Sequence, residues 1–193
     1  MVNFSDFEKK LKVEFKNKNL LVQAFTHRSY INENTGTSLS HNERLEFLGD
    51  AVLELIVTDF LYNKYPSYTE GELTAIRSAL VNAIIISEIA SDVGMNDYLL
   101  LSKGEMKDHG KARQYILANT YEAFIGALFI DQGYETVNKF ITKTLLPKTD
   151  EIVKKKLWRD AKSLVQEKAQ EFVQSTPLYA VLKETGPDHD KHF

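Results

Sequence analysis

Cysteine is absent from the sequence of 193 residues, which excludes disulfide bonds, thiolate zinc sites and thiol catalysis and is typical of a cytoplasmic protein. Long apolar runs are also missing. No window approaches twenty apolar residues, and the N-terminus lacks the charged-then-apolar layout of a signal peptide, so we expect no membrane span. There is no excess of basic residues either. With a net charge of −3, composition alone does not favour nucleic-acid binding.

Helical periodicity runs through most of the chain and predicts an all-α protein. Ser5 with Glu8, and Thr69 with Glu72, have the spacing of capping boxes at helix starts. A polar loop is predicted over 32–40. The predicted helical segments are 5–15, 19–27, 42–64, 69–94, 114–133, 134–146 and a polar helix after Lys154. A strand is predicted from Leu178 to Leu182, where apolar and polar residues alternate.

The stretch NERLEFLGDAVLELIV, Asn42 to Val57, places four acids in an otherwise apolar helix. At 100° per residue these acids fall within an arc of about 80°. We call them the acid row: Glu43, Glu46, Asp50 and Glu54. Because the rest of the circumference is apolar, we expect a buried helix. Buried carboxylates need basic partners, a water-filled cleft or a metal ion.

A second apolar helix repeats this pattern, since Asn119 and Glu122 lie three residues apart on one face. If the two helices pack side by side, Glu46, Asp50, Asn119 and Glu122 can converge. Oxygen-only ligands suit Mg²⁺, which activates water and stabilises phosphoryl oxygens. A buried ion-pair network explains the same residues equally well at this stage.

The outer acids have alternatives of their own. Glu43 lies about 10 Å from Asp50 along the helix, too far to share one ion comfortably, whereas Glu46 is only about 6 Å from Asp50. Glu43 is therefore a candidate for the second shell or a second metal, or the capping-box partner of Ser40. For Glu54 a salt bridge is expected, with Arg44 or Arg77 as the partner.

The Asn42–Val57 stretch resembles the signature motif of the bacterial ribonuclease III family along its whole length. The resemblance continues, in the family's order and spacing, through AFTHRSY, EGELTAIRSALVN, LSKGE and ILANTYEAFIGALFID. It implies a helical, dimerising endonuclease domain over 1–155 that acts on double-stranded RNA, leaving 5′-phosphate and 3′-hydroxyl ends, with metal-activated water as nucleophile. It also implies roles in processing rRNA precursors and other structured transcripts.

Residue by residue, the resemblance makes Glu46, Asp50 and Glu122 ligands of Mg²⁺, for which Mn²⁺ is a possible substitute. Asp50 and Glu122 are the catalytic acids, and Glu43 matches the additional signature acid. Asn119 stands where several members have Asp, which lowers the charge of the site although an amide oxygen still coordinates Mg²⁺. The resemblance also makes Phe47 the aromatic that inserts into the partner of a homodimer.

Residues 156–193 resemble the first helix and strand of an α+β double-stranded-RNA-binding domain whose C-terminal half is missing, as in a truncated gene or protein. Such domains contact minor-groove 2′-hydroxyls and phosphates. The resemblance assigns RNA contacts to Ser163, Gln166, Glu167, Gln170 and His189. A metal site at His189 and His192 is a weaker interpretation.

Two other functions remain open at this point. A non-catalytic RNA-binding relative would have lost the acids, and only Asn119 leaves that possibility open. An unrelated helical metal phosphohydrolase acting on nucleotides would not explain the tail.

Overall fold

The computed structural model of the chain describes residues 2–107, 109–159, 161–180 and 184–185, with backbone alone for 161–164 and 167. The chain divides into two compact units, Met1–Trp158 and Arg159–Phe193. The fold is all-α, as predicted. Its helices are α1 (Ser5–Leu11), α2 (Lys18–Ala24), α3 (Arg28–Glu33), α4 (Glu43–Lys64), α5 (Glu70–Leu80), α6 (Ala83–Asp92), α7 (Lys111–Gln132), α8 (Tyr134–Thr144), α9 (Lys148–Lys154) and α10 (Ala161–Val173). Two 3-10 segments, Met95–Tyr98 and Glu105–Lys107, lie between α6 and α7.

Helices α4 and α7 form the centre of the first unit. Each has 22 residues, and α7 is buried over most of its length between α4, α2, α6 and α8. Aromatic side chains close one end of the core, where the ring of Phe7 lies 5.1 Å from Phe25 and 5.8 Å from Phe124. Burial of such rings is the main stabilising term for a unit of this size.

Two glycines allow α4 and α7 to touch through their backbones. A Cβ added at Gly49 would overlap the carbonyl oxygen of Glu122 and lie 2.8 Å from the amide nitrogen of Gly126. A Cβ added at Gly126 would overlap the carbonyl oxygen of Leu45. Moving from Leu45 to Gly49, toward the C-terminus of α4, therefore corresponds to moving from Gly126 to Glu122, toward the N-terminus of α7. The two helices run antiparallel.

The segment predicted as one helix over 69–94 is two helices, and the prediction is wrong at its middle. α5 ends at Leu80 and α6 begins at Ala83, with a bend of 46° between them. Asn82 causes the restart, because its side-chain oxygen accepts the amide of Ile85 at 3.0 Å. The Thr69–Glu72 capping box is present as predicted. Within the described residues no single helix is long and apolar enough to span a membrane, although the bent pair α5 and α6 would pass by length and composition.

The predicted capping box at Ser5 is wrong. Phe4 is the N-cap residue of α1, without a side-chain cap. The carboxylate of Glu8 instead accepts the amide of Phe15 at 2.8 Å and pairs with Lys18 at 2.8 Å. The Glu8 carboxylate therefore bonds to Phe15 and Lys18, outside α1, and not to the backbone at the start of its own helix.

The second unit contains α10, which confirms the predicted helix after Lys154. Residues 178–180 do not form a strand, and 181–182 lie outside the described residues. A strand is stable only when its backbone groups pair with a neighbour. The assignment of 1–155 and 156–193 as a nuclease domain and a partial RNA-binding domain stays a prediction.

Candidate active site

The acid row lies along the groove between α4 and α7. The glycine contact fixes the levels of the side chains: Glu122 lies between Glu46 and Asp50, and Asn119 comes one turn further along the row. The structure thus brings Glu46, Asp50 and Glu122 into one region and puts Asn119 beside them.

The acid row is not buried, contrary to the sequence-based expectation. Glu46, Asn119 and Glu122 are half-buried, while Asp50 and Glu43 are exposed. The expectation failed because one apolar face of α4 is itself exposed to solvent. The helix therefore lies at the surface of the unit, with its acids beside an open groove.

The carboxylates of the groove repel one another. Burial, followed by the charges of Asp50 and Glu46, raises the pKa of Glu122 to about 8. Burial also raises the pKa of Glu46 above its ordinary value, with smaller contributions from Glu43 and Asp50. These mutual effects show that the side chains are close in space.

No basic side chain of the described residues forms an ion pair with Glu46, Asp50 or Glu122. The buried ion-pair network that the sequence left open is therefore not formed within the described chain. Clustered acids without a cationic partner are expected where a cation from solution completes the site.

The donor set fits a hydrated magnesium ion better than a closed protein cage. No group of three or more histidine, cysteine, aspartate or glutamate side chains in the described ranges is close enough together to enclose a metal. Mg²⁺ does not need such a cage, because it keeps several waters and is bound through one or two carboxylates. The half-buried oxygens of Glu46, Glu122 and Asn119 beside the exposed Asp50 are consistent with this mode of binding.

Glu43 has partners that separate it from the other acids. Its carboxylate lies 3.4 Å from the guanidinium of Arg28 and 3.6 Å from Nδ1 of His41. The capping box with Ser40 is not formed, since Asn42 is the N-cap residue and makes no side-chain cap. Arg28 and His41 were not predicted as partners, because α3, which begins at Arg28, and the loop that carries His41 have no periodic pattern that places them beside Glu43.

Glu54, at the far end of the acid row, also differs from expectation. It is half-buried, and no ion pair joins it to Arg44 or Arg77. Arg77 instead donates to the hydroxyl of Thr58 at 2.9 Å. The predicted salt bridge is therefore wrong, since Arg77 bonds to Thr58, one turn further along α4, and not to Glu54.

A short network behind Glu43 fixes the loops around the site. His27 caps α3, accepting the amide of Ser29, whose hydroxyl lies 2.8 Å from Nδ1 and accepts the amide of Ser102 at 3.1 Å. Thr26 and Leu100 form a parallel bridge beside it. Burial lowers the pKa of His27. These bonds give His27 a structural role at the start of α3.

An exposed apolar stripe runs beside the acid row on α4. Its most exposed member is Phe47, at 82%. Near its C-terminal end opens a cavity of about 460 Å³ lined by residues of α4, the loop after it and α5. The apolar stripe consists of Phe47, Ala51, Leu55, Thr58 and Tyr62. The cavity is lined by Thr58, Leu61, Tyr62, Tyr68, Glu70, Leu73, Thr74 and Arg77.

The residues predicted to contact RNA belong to the second unit and can be placed only in part. Gln166 is half-buried, and Gln170 is exposed with its side-chain amide 3.4 Å from the hydroxyl of Thr176. The side chains of Ser163 and Glu167, and all of His189, lie outside the described residues.

The helical fold, with a groove of carboxylates that have no ion-pair partner among the described residues, defines the class of helical proteins with an acidic site. Comparison with known proteins narrows the class. The family described as Ribonuclease-III-like matches residues 17–149. Ribonuclease 3 of Geobacillus kaustophilus is 44% identical over 190 residues, covering 98% of this chain and 77% of that protein. Ribonuclease 3 of Bdellovibrio bacteriovorus is 42% identical, covering 96% and 80%.

Solved structures agree with the sequence comparisons. The nuclease domain of ribonuclease III from Campylobacter jejuni superposes with a TM-score of 0.68 at 38% identity, covering 75% of this chain and 99% of that one. Dicer from Pichia stipitis gives 0.54 at 28% identity, covering 91% and 78%. The chain belongs to the ribonuclease III family. The activity that these homologues support for it is endonucleolytic cleavage of double-stranded RNA.

Proposed function

We propose that the groove between α4 and α7 is the catalytic centre at which this chain hydrolyses phosphodiester bonds of double-stranded RNA, leaving 5′-phosphate and 3′-hydroxyl ends. One observation carries the proposal: Glu46, Asp50 and Glu122 share the groove with no cationic partner among the described residues. A cation and a phosphate entering together would satisfy both the acids and the substrate charge.

The cation is Mg²⁺, or Mn²⁺ in its place, held by Glu46, Asp50, Glu122 and the amide oxygen of Asn119. When bound it supplies an activated water and stabilises charge on the phosphoryl oxygens. The chain's own contribution is placement. Glu122 approaches from the floor of the groove, because its backbone is pressed against Gly49, and Asp50 is the acid most open to substrate.

Glu122 also has a proton to release. With its pKa raised to about 8, its carboxyl is largely protonated at neutral pH while no cation is present. With a cation bound, Glu122 would be in its charged carboxylate form and able to act as a ligand. Glu43, held by Arg28 and His41, fixes the start of α4 and is proposed for the second shell or a second metal.

The working form that we propose is a homodimer. One acid cluster serves one strand at a time, and a two-fold dimer supplies two clusters at a fixed separation. The apolar stripe provides the contact. Phe47 projects from it next to Glu46, and the cavity bordered by Tyr62 and Leu73 includes apolar and aromatic groups that suit a ring from the partner.

The second unit is proposed to contact RNA through one face of α10. Ser163, Gln166, Glu167 and Gln170 recur at helical spacing along it, and His189 follows in the tail. Their amides, hydroxyl and imidazole suit 2′-hydroxyls and phosphates. Processing of rRNA precursors and other structured transcripts in the cytoplasm is the proposed setting.

The test is to incubate the chain with a long RNA duplex, the single strand and a DNA duplex of the same sequence, each in Mg²⁺ and in EDTA. We expect cleavage of the RNA duplex alone, in Mg²⁺ alone, with products whose 5′-phosphates allow ligation. Binding without cleavage would favour a non-catalytic RNA-binding protein. Hydrolysis restricted to free nucleotides would favour a nucleotide phosphohydrolase.

A further inference from the structure

Tyr115 is an exposed aromatic residue that no part of the proposed site yet uses. It lies in the first half of α7, and its side chain is 59% exposed. The structure records no hydrogen bond from its hydroxyl to any of the described residues. It is not part of the apolar stripe, which belongs to α4.

Helical geometry places Tyr115 on the same face of α7 as the proposed ligands. On an ideal helix it lies about 20° from Glu122 and about 40° from Asn119, and about 10 Å from Glu122 along the axis. Because α4 and α7 run antiparallel, the next residue of the acid row at this end is Glu54. Tyr115 therefore continues the groove beyond the acids.

Charges of both signs lie near Tyr115. Glu54 is the nearest member of the acid row, and Lys111 lies one turn before Tyr115 on the same face of α7. A neutral group that both donates and accepts hydrogen bonds is compatible with either charge, and the phenol offers the same two functions.

We propose that Tyr115 contacts the RNA beside the scissile bond, with its hydroxyl hydrogen-bonded to a ribose 2′-hydroxyl, and that it thereby contributes to the discrimination of RNA from DNA. The inference rests on the proposed function. The wide minor groove of A-form RNA displays its 2′-hydroxyls, so a side chain standing in an open groove can reach them without unstacking a base.

The experiment compares wild type with Tyr115→Phe, which keeps the ring and removes only the hydroxyl. Tyr134→Phe is the matched control, because Tyr134 begins α8, beyond the opposite end of α7. Substrates are a short RNA duplex with one cleavage site and a set carrying one 2′-deoxy nucleotide at successive positions around that site. The readouts are kcat/KM in saturating Mg²⁺ and sedimentation of each variant.

On the all-RNA duplex we expect Tyr115→Phe to lower kcat/KM about two- to tenfold, the net effect of one hydrogen bond. At one position the 2′-deoxy substitution should abolish the difference between the two enzymes, because wild type then lacks the same bond. At other positions the difference should persist, and Tyr134→Phe should match wild type throughout.

Three results would overturn the proposal. Tyr115→Phe could cleave the all-RNA duplex as fast as wild type. It could keep the same deficit at every 2′-deoxy position, which would place the hydroxyl away from the ribose. It could sediment as a monomer where wild type is dimeric, which would make Tyr115 a subunit contact. If wild type is inactive on the all-RNA duplex, the proposed function fails together with this inference. That result differs from the other three because it is seen with wild type alone, without any variant.

Discussion

The acid row and the apolar stripe lie on adjacent faces of α4, and they expose opposite kinds of surface. Glu46 and Asp50 present charge that repels itself, whereas Phe47 and Leu55 present apolar area that water solvates poorly. Within the described residues neither surface finds what it needs: a cation for the first, apolar cover for the second. One helix thus carries two separate binding surfaces, one for a cation and one for apolar cover. Substitutions on one face should therefore leave the function of the other face intact.

The largest expected effect is on cleavage, from a change confined to the acid side. Glu122→Gln should lower the cleavage rate about 10²- to 10³-fold, because an electrostatic group aimed at the transition state is lost. Duplex binding and dimer sedimentation should be unchanged. Glu54→Gln, in the same row but outside the proposed ligands, is the control and should cleave within a few-fold of wild type. A Glu122→Gln enzyme of near-normal rate would remove Glu122 from the site.

Next comes the apolar side. Phe47→Ala should weaken the dimer by about 3–5 kcal/mol, by analogy with Phe→Ala changes in protein cores. Ultracentrifugation over a concentration series measures this, and double-strand cleavage should fall as the protein is diluted. Ile130→Ala removes another exposed apolar side chain, this one from α7, and serves as the control. A monomeric wild type that still cuts both strands would contradict the dimer.

A third change tests the backbone contact between α4 and α7 that places Glu122 beside the acid row. Gly49→Ala should destabilise the fold by about 1–3 kcal/mol, because its Cβ overlaps the carbonyl of Glu122. It should also lower cleavage by displacing Glu122. Gly71→Ala, where a Cβ meets nothing within 4 Å, is the matched control and should be neutral or slightly stabilising. Equal melting temperatures for the two variants would argue against close packing at Gly49.

The pH dependence of stability tests the acidic groove separately from the apolar stripe. The pKa of Glu122 is raised from 4.5 to about 8, so the folded protein retains a proton that the unfolded chain has released. This contribution to stability is complete below about pH 4.5 and is lost as the pH rises through about 8.

The pH effect is measurable in EDTA as a difference between two melting curves. Glu122→Gln, which cannot ionise, should gain about 5–10 °C in melting temperature relative to wild type between pH 6 and pH 9. Phe47→Ala should show no such relative gain. Parallel pH profiles for Glu122→Gln and wild type would show that the carboxyl is not destabilised in the groove.

The smallest effect is expected from Asn119→Asp. An added carboxylate attracts Mg²⁺ more strongly than an amide does, so the Mg²⁺ concentration for half-maximal cleavage should fall by a few-fold. Asn96→Asp, on the 3-10 segment before α7, is the control. A magnesium titration without any shift would place Asn119 outside the ligand set.

Local sequence by itself determined α4, since its apolar periodicity and the following Pro66 give bounds that the structure reproduces. It also determined the Thr69–Glu72 capping box and the shared face of Glu46 and Asp50, because these depend on residues within one turn of each other. The family followed from the order of its motifs.

Tertiary structure decided the side-chain contacts and the exposure, because these depend on which residues are neighbours in space. Glu8 bonds to Phe15 and Lys18 and does not form the predicted capping box. Glu43 pairs with Arg28 and His41. Asn82 starts a new helix inside a segment whose periodicity predicts one continuous helix. The exposure of the acid row was also beyond sequence reasoning, because periodicity shows which residues share a face but not what covers it. The convergence of Glu122 with Glu46 and Asp50 depends on backbone contact at Gly49 and Gly126, two residues separated by about half the length of the first unit.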